Sequence, residues 1–228
     1  MDISRPFLDT TDALAQMLGP LAGRTAVDLG AGSGGATRAL AALGARAIGV
    51  EPNAEARRQA EAEGGGPTYR DGTGAASGLP DRCADLVLFS MSLHHCPDMG
   101  AALNEALRVL RPGGHLAVLE PEAGDPLWPV VRWIDDETAV YAEAQTALEA
   151  VAASGRLEAR RTLHYAVKDR TESAEALIDL MISVDPSRAV AEDARRKVGA
   201  AFAAARQEDD EGGFIPYWLR LDVFDARA

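Results

Sequence analysis

The sequence predicts an α/β fold, a parallel sheet covered by helices with a small helical cap. Two observations predict it. Short apolar runs alternate with helical stretches through the first 120 residues, the pattern of strands joined by crossover helices. A glycine-rich turn, VDLGAGSGG at 27–35, joins the first strand to the next helix, as in nucleotide-binding βαβ units.

The elements follow in order. Residues 8–19 read as a helix with Leu8, Leu14, Met17 and Leu18 along one stripe. TAVDL (25–29) is a strand, and the glycine loop leads into a helix through about 43. ARAIGVE (45–51) is the second strand, and 53–64 is an Ala/Glu/Arg helix ended by three glycines. A short strand at 67–70 precedes a Gly/Ala-rich loop, 71–80, and ADLVLFS (84–90) is a buried strand. The helix 99–110 stops at the breaker RPGG (111–114) before the strand HLAVLEP (115–121). Beyond it lie a Pro-interrupted aromatic stretch (125–138), a helix at 136–154 and a strand at 156–167. Helices at 172–183 and 188–206, a turn at 207–213 and a terminal strand at 214–226 complete the chain. The organisation expected is one domain over 1–228: a ligand-binding core at 20–121, and a substrate-side half at 122–228 capped by helices at about 172–206.

Composition narrows the function. The 228 residues are 47% hydrophobic, enough for a sizeable core. The net charge of −12, from 35 acids and 23 bases, argues against a grip on polyanionic nucleic acid. No signal peptide is read at the start, and no apolar run approaches the roughly 18 residues of a membrane span. The two cysteines, Cys83 and Cys96, show no metal-ligand spacing. The expected setting is therefore reduced and cytoplasmic, and no metal is read.

The glycine loop contains a G-x-G-x-x-G (Gly30, Gly32, Gly35) that suits a dinucleotide. Asp28, two residues before Gly30, argues otherwise, because a carboxylate there would face the pyrophosphate of NAD. A ligand carrying an ammonium and a sulfonium, such as S-adenosylmethionine, would welcome it. Glu51 ends the second strand, where an acid accepts from both ribose hydroxyls of either ligand. Asp71 ends the third strand, where a carboxylate suits the adenine amine while the backbone at Gly72 and Thr73 reads the ring edge. None of these acids has a basic partner within its motif.

Four blocks carry a resemblance: VDLGAGSGG (27–35), GVEPN (49–53), RDGTGAASGLPDRCADLVLFSMSLHHCPD (70–98) and RVLRPGGHLAVLEP (108–121). In their order and separations the chain resembles the class I S-adenosylmethionine-dependent methyltransferases, in particular the ubiquinone/menaquinone-biosynthesis-like subgroup. The resemblance implies a doubly wound, Rossmann-like sheet of seven strands, mostly parallel with an antiparallel last strand, and helices on both faces. It implies that Asp28, Gly30, Ala31 and Gly32 flank the methionine part of the cofactor, and that Glu51 binds the ribose. Pro52 would pack near the adenine, Asp71 and Gly72 would meet its edge, and Ser90 would lie beneath the methionine moiety. The short segment before the first strand contains no Tyr, unlike that of many relatives, so part of the lid must come from 125–138 or 172–206.

Methyl transfer from a sulfonium needs alignment and exclusion of water more than acid–base work. His94 and His95, just past the fourth strand, are the candidate catalytic residues, as base or hydrogen-bond donor. Glu120, Trp128 and Trp133 are candidate acceptor-pocket residues. His115 is expected at the surface, and His164 in a late strand is a weaker candidate. Arg160 and Arg161 point to opposite faces of a strand, so at most one meets an acidic acceptor. The reading is a methyltransferase that acts on a small-molecule acceptor and releases S-adenosylhomocysteine, as a monomer or homodimer. Its alternatives are an RNA-modifying methyltransferase of the same fold, a non-catalytic cofactor-binding or regulatory protein, and an NAD-dependent oxidoreductase.

Overall fold

The structure, a computed structural model, describes residues 5–122, 124–184 and 187–227. Strands β1 (Thr25–Leu29), β2 (Arg46–Val50), β3 (Thr68–Arg70), β4 (Ala84–Ser90) and β5 (Leu110–Pro121) run parallel in the order β3-β2-β1-β4-β5. The sheet continues through the antiparallel β8 (Gly212–Ala226) to β6 (Leu157–Asp169). Strand order reverses between β1 and β4, so the crevice at their carboxyl ends is where such a sheet receives a ligand.

Side-chain alternation assigns the two faces. Val27, Leu29, Val87, Phe89, Leu116 and Val118 pack against α4 (Met99–Val109) and α6 (Thr138–Ala153). Their neighbours Ala26, Leu86, Leu88, Ala117 and Leu119 pack against α1 (Thr10–Leu18) and α2 (Gly35–Ala42). Strands buried on both faces read as continuous apolar runs, which is why the sequence locates them. Asp9, Asn53 and Asp98 cap α1, α3 (Ala54–Glu63) and α4 through side-chain oxygens that accept from first-turn amides.

A third apolar cluster joins the helices of the expected cap to β8. Leu127 and Val130, at α5 (Trp128–Val131), meet Leu177 and Ile178 of α7 (Ala174–Val184), Val198 and Phe202 of α8 (Glu192–Ala205), and Ile215 of β8. Positions 185 and 186 of the expected cap lie outside the described residues. The amino-terminal segment covers the free edge of β6, with Leu8 N–H donating to Ala166 (3.0 Å) and Ala166 N–H to Pro6 (2.9 Å). Arg5 anchors it by a fork onto Glu122 and by stacking 3.9 Å from the Trp218 ring centre.

Two expectations need correction. Beside the seven strands of the main path, 207–213, which reads as a turn, holds a short strand, β7 (Gln207–Asp209), that forms a hairpin with β8. Asp209, ion-paired to Lys168 and Arg170, holds that hairpin down despite its polar sequence. RPGG does not separate helix from strand by a free turn. It bulges within β5, since Ala84 pairs with Leu110 and Leu86 with His115.

Glu105 fastens the loop after β3 to α4. It accepts from the Ser77 N–H at 2.8 Å and the Ser77 hydroxyl at 2.5 Å. The Arg108 guanidinium, followed by Ser77, holds its carboxyl down to about 2. A carboxyl lowered in this way stabilises the fold above its unfolded value and loses that contribution as pH falls toward 2. Glu105→Ala strands buried Ser77 donors and should cost about 1–3 kcal/mol in urea unfolding at pH 7. The deficit relative to the unmodified chain should shrink as pH falls from about 4.5 toward 2. An unchanged midpoint at pH 7 would contradict the assignment.

Candidate active site

The loop after β1 is built for close approach by a ligand. Gly30 has φ 80°, and a Cβ there would lie 2.6 Å from Cβ of Ser92. Gly32 has φ 52°, and nothing lies within 4 Å of the position its Cβ would take, so its backbone borders open space. The loop is tied to β2, because the N–H groups of Gly30 and Ala31 donate to the Val50 carbonyl at 2.8 and 3.1 Å. Glu51 completes the tie: one oxygen accepts from Gly32 N–H (2.9 Å) and the other from Asn53 N–H (2.8 Å). Each oxygen keeps a further lone pair.

Asp28 shares the α2 face of β1 with Ala26. Its residue is 1% exposed. Oδ2 accepts from the Thr37 hydroxyl at 2.7 Å, whereas Oδ1, also buried, has no partner among the described residues. Burial raises its pKa to about 6, with the Thr37 bond opposing and the Glu51 charge adding to the rise. Buried polar atoms are nearly always satisfied, so the bare oxygen marks a place for a donor.

The third acid differs from the first two. Asp71 is mostly exposed and ion-paired to Arg57 of α3 at 2.8 Å, and Arg57 also donates to the Glu51 carbonyl. The expectation of three unpaired acids thus holds only inside the motifs. Pro52 is exposed beside Glu51, and Gly72 leads into a tight turn in which Thr73 N–H donates to Ala76 (3.0 Å). Ser90, at the end of β4, pairs with Leu119.

From there residues 91–96 cross the strand ends. Met91, with φ 56°, turns the chain so that the buried Ser92 donates through its hydroxyl to Leu29 at 2.6 Å beneath Gly30. Two residues on, the buried His94 sets Nδ1 against Glu120, whose other oxygen accepts from Leu93 N–H at 3.0 Å. The His94 ring lies 4.0 Å from that of His95 and edge-on to Tyr141 at 4.9 Å. The Tyr141 hydroxyl donates to Glu137 (2.7 Å), and burial followed by that bond raises the phenol. Partial desolvation and the neighbouring His94 lower the pKa of His95.

Between β5, β8 and α6 lies a cavity of about 430 Å³ that takes in Glu120, Trp128 and Tyr141. Glu120 shares its strand face with Val118, which is why it looks toward α6. Asp125, buried in the wall, accepts from the N–H groups of Leu127 (2.7 Å) and Trp128 (3.1 Å), and burial raises it to about 6. Trp133, expected in the pocket, is instead outside the cavity lining: it is 41% exposed, with Lys197 over its ring. His115 and Arg160 pair with Asp225, His164 with Glu122, and Arg161 donates to the carbonyls of Gln16 and Met17. The residues that sequence reasoning missed are Thr37, Ser92, Asp125, Glu137 and Tyr141. Ser92 lies inside SMSLHH, Thr37 just past the glycine loop, and Asp125 and Glu137 within the aromatic stretch 125–138, but none has a local pattern that marks it out.

Comparison with known proteins agrees with this geometry. Residues 27–118 match the family profile described as a methyltransferase domain. A 122-residue segment is 34% identical to the ubiquinone/menaquinone biosynthesis C-methyltransferase UbiE of Caulobacter vibrioides, covering 48% of each chain. A 101-residue segment is 43% identical to an uncharacterized methyltransferase of Mycobacterium ulcerans, covering 43% of this chain and 39% of that one. The match thus spans less than half the length of these relatives. Among solved structures, YcgJ of Bacillus subtilis superposes with a TM-score of 0.65 at 17% identity, over 96% of this chain and 98% of the other. An S-adenosylmethionine-dependent methyltransferase of Mesorhizobium loti superposes with 0.56 at 21%, over 94% and 96%. No helix among the described residues is long and apolar enough to cross a membrane. Sheet order, glycine loop and matched segment together show a Rossmann-like methyltransferase fold, with a methyltransferase-domain match over residues 27–118.

Proposed function

We propose that this protein transfers a methyl group from S-adenosylmethionine to a small-molecule acceptor seated in the cavity between β5 and α6. The observation that carries the reading is the bare buried oxygen of Asp28 beside a loop whose backbone opens at Gly32. Bound there, the cofactor supplies a methyl group activated by a sulfonium. Asp28 Oδ1 accepts from its ammonium, and the backbone of Gly30, Ala31 and Gly32 flanks the methionine part. Glu51 uses its free lone pairs for the ribose hydroxyls. Pro52, Asp71, Gly72 and Thr73 border the adenine, and Ser90 closes the floor under the methionine chain.

The other half of the site handles the acceptor. Trp128 and Tyr141 give it an aromatic wall, and the cap of α5, α7 and α8 excludes water. Glu120 engages His94 through Nδ1, which leaves Nε2 to accept a proton from an acceptor that must lose one. The carboxylates of this cavity and the net charge of −12 speak against an RNA substrate. A carboxylate at position 28 likewise speaks against a pyrophosphate, hence against NAD.

Asp28 makes the reading testable through pH. An acid raised to about 6 favours the fold most below its unfolded value near 4, and that contribution is lost as pH rises through 6. A bound cation reverses the preference, so binding releases a proton below pH 6. Calorimetric affinity for S-adenosylmethionine should stay level above pH 6 and fall about tenfold per pH unit below it. Asp28→Asn should bind weakly at every pH and lose that slope. Tight, pH-independent binding to Asp28→Asn would remove the reading's main support.

The acceptor side has its own test. Small amine, phenol and quinol compounds would be screened with cofactor labelled in its methyl group. With an acceptor so found, Trp128→Ala should raise its KM about tenfold, the loss of one good apolar contact. Trp133→Ala should leave KM unchanged. The reverse ranking would move the acceptor to another surface.

A further inference from the structure

The geometry points to a divalent-metal site formed by His94, His95 and Glu137. One ligating atom of each lies within 4.8 Å of those of the other two. A tetrahedral zinc ion, with bonds of about 2.0–2.2 Å, needs such atoms about 3.4 Å apart. Metal binding would draw the three atoms together by rotation of the His95 and Glu137 side chains, of which His95 is exposed.

The surroundings match those of histidine ligands. Glu120 occupies Nδ1 of His94, so Nε2 is the nitrogen left to the metal. A carboxylate behind a ligating histidine fixes its tautomer and ring orientation and raises its basicity. Glu120 is itself held by the N–H groups of Leu93 and His94, at 3.0 and 3.4 Å. The ring nitrogens of His95 take no hydrogen bond among the described residues. Glu137 receives the Tyr141 hydroxyl on Oε2 (2.7 Å) and Arg188 on Oε1 (3.1 Å), and each oxygen keeps a lone pair. Among the described residues the Arg188 guanidinium at Glu137 is shared with Asp135, and the Glu120 carboxylate stands behind His94.

Two imidazoles and one carboxylate form the donor set of open zinc sites, in which a fourth position takes water or substrate. Glu120 and Tyr141 each touch a ligand and also line the acceptor cavity. The fourth position therefore suits an oxygen or nitrogen of the acceptor. With metal bound, His94 Nε2 is no longer a proton acceptor, and the ion's lowering of the pKa of a bound hydroxyl takes over that part.

The test uses the full chain, stripped with a chelator and titrated with Zn²⁺ alone. One Zn²⁺ per chain is expected, and Co²⁺ in its place should give the visible absorption of a tetrahedral site. His95→Ala and Glu137→Gln should each abolish stoichiometric binding, and Glu120→Gln should weaken it about 10–100-fold. His115→Ala and His164→Ala should bind like the unmodified chain. Circular dichroism checks that the variants fold, and the Co²⁺ spectrum of the unmodified chain is independent of any variant. The proposal is overturned if no stoichiometric Zn²⁺ binds, or if folded His95→Ala and Glu137→Gln bind it unchanged. Neither readout uses S-adenosylmethionine, so the outcome is separate from that of the proposed methyl transfer.

Discussion

A carboxyl buried at the end of β1, bonded by the protein on one side only, is the constraint around which the rest of the site is arranged. Asp28 sits on the α2 face of the sheet, where its neighbours Ala26, Leu86 and Leu88 are apolar. Thr37, in the first turn of α2, supplies a single hydroxyl. Keeping the group ionised at neutral pH costs on the order of 3 kcal/mol, read from its displaced titration. A leucine there would cost nothing of the kind. The expense is understandable where a cation completes the bonding, and the glycine loop directly above is the part of the backbone left open.

A second feature ties this half to the other. Between Ser90 and Cys96 the chain passes over the strand ends from the α2 face to the α6 face. Ser92 tucks under Gly30 and bonds the last carbonyl of β1, and His94 then reaches Glu120 on β5. Hydrogen bonds through this segment thus link the end of β1 beneath the glycine loop to Glu120 in the cavity wall. The left-handed Met91 marks where the crossing begins, an unusual conformation for a side chain of that size.

The half before residue 121 is readable from sequence because its strands are buried on both faces and its loops carry glycine where φ is positive. Asp28, Gly30 and Glu51 are found by their places in that pattern. What sequence reading misses is what depends on distance in the chain. Arg57 reaches Asp71 because α3 runs back beside β3, a pairing that no motif contains. Glu137 and Tyr141 reach His94 because α6 packs across β5, and nothing in their local sequence distinguishes them from other acids and aromatics of an amphipathic helix. Trp133 misleads for the complementary reason: it stands near Trp128 in sequence, but α5 is only one turn long and the chain beyond it turns outward.

If Asp28 Oδ1 receives a positive charge, a crystal structure with S-adenosylhomocysteine bound should place the ligand's amino nitrogen about 3 Å from Oδ1, with the ribose hydroxyls on Glu51. A ligand whose amino group lies elsewhere, with Oδ1 bonded only to buried water, would contradict it.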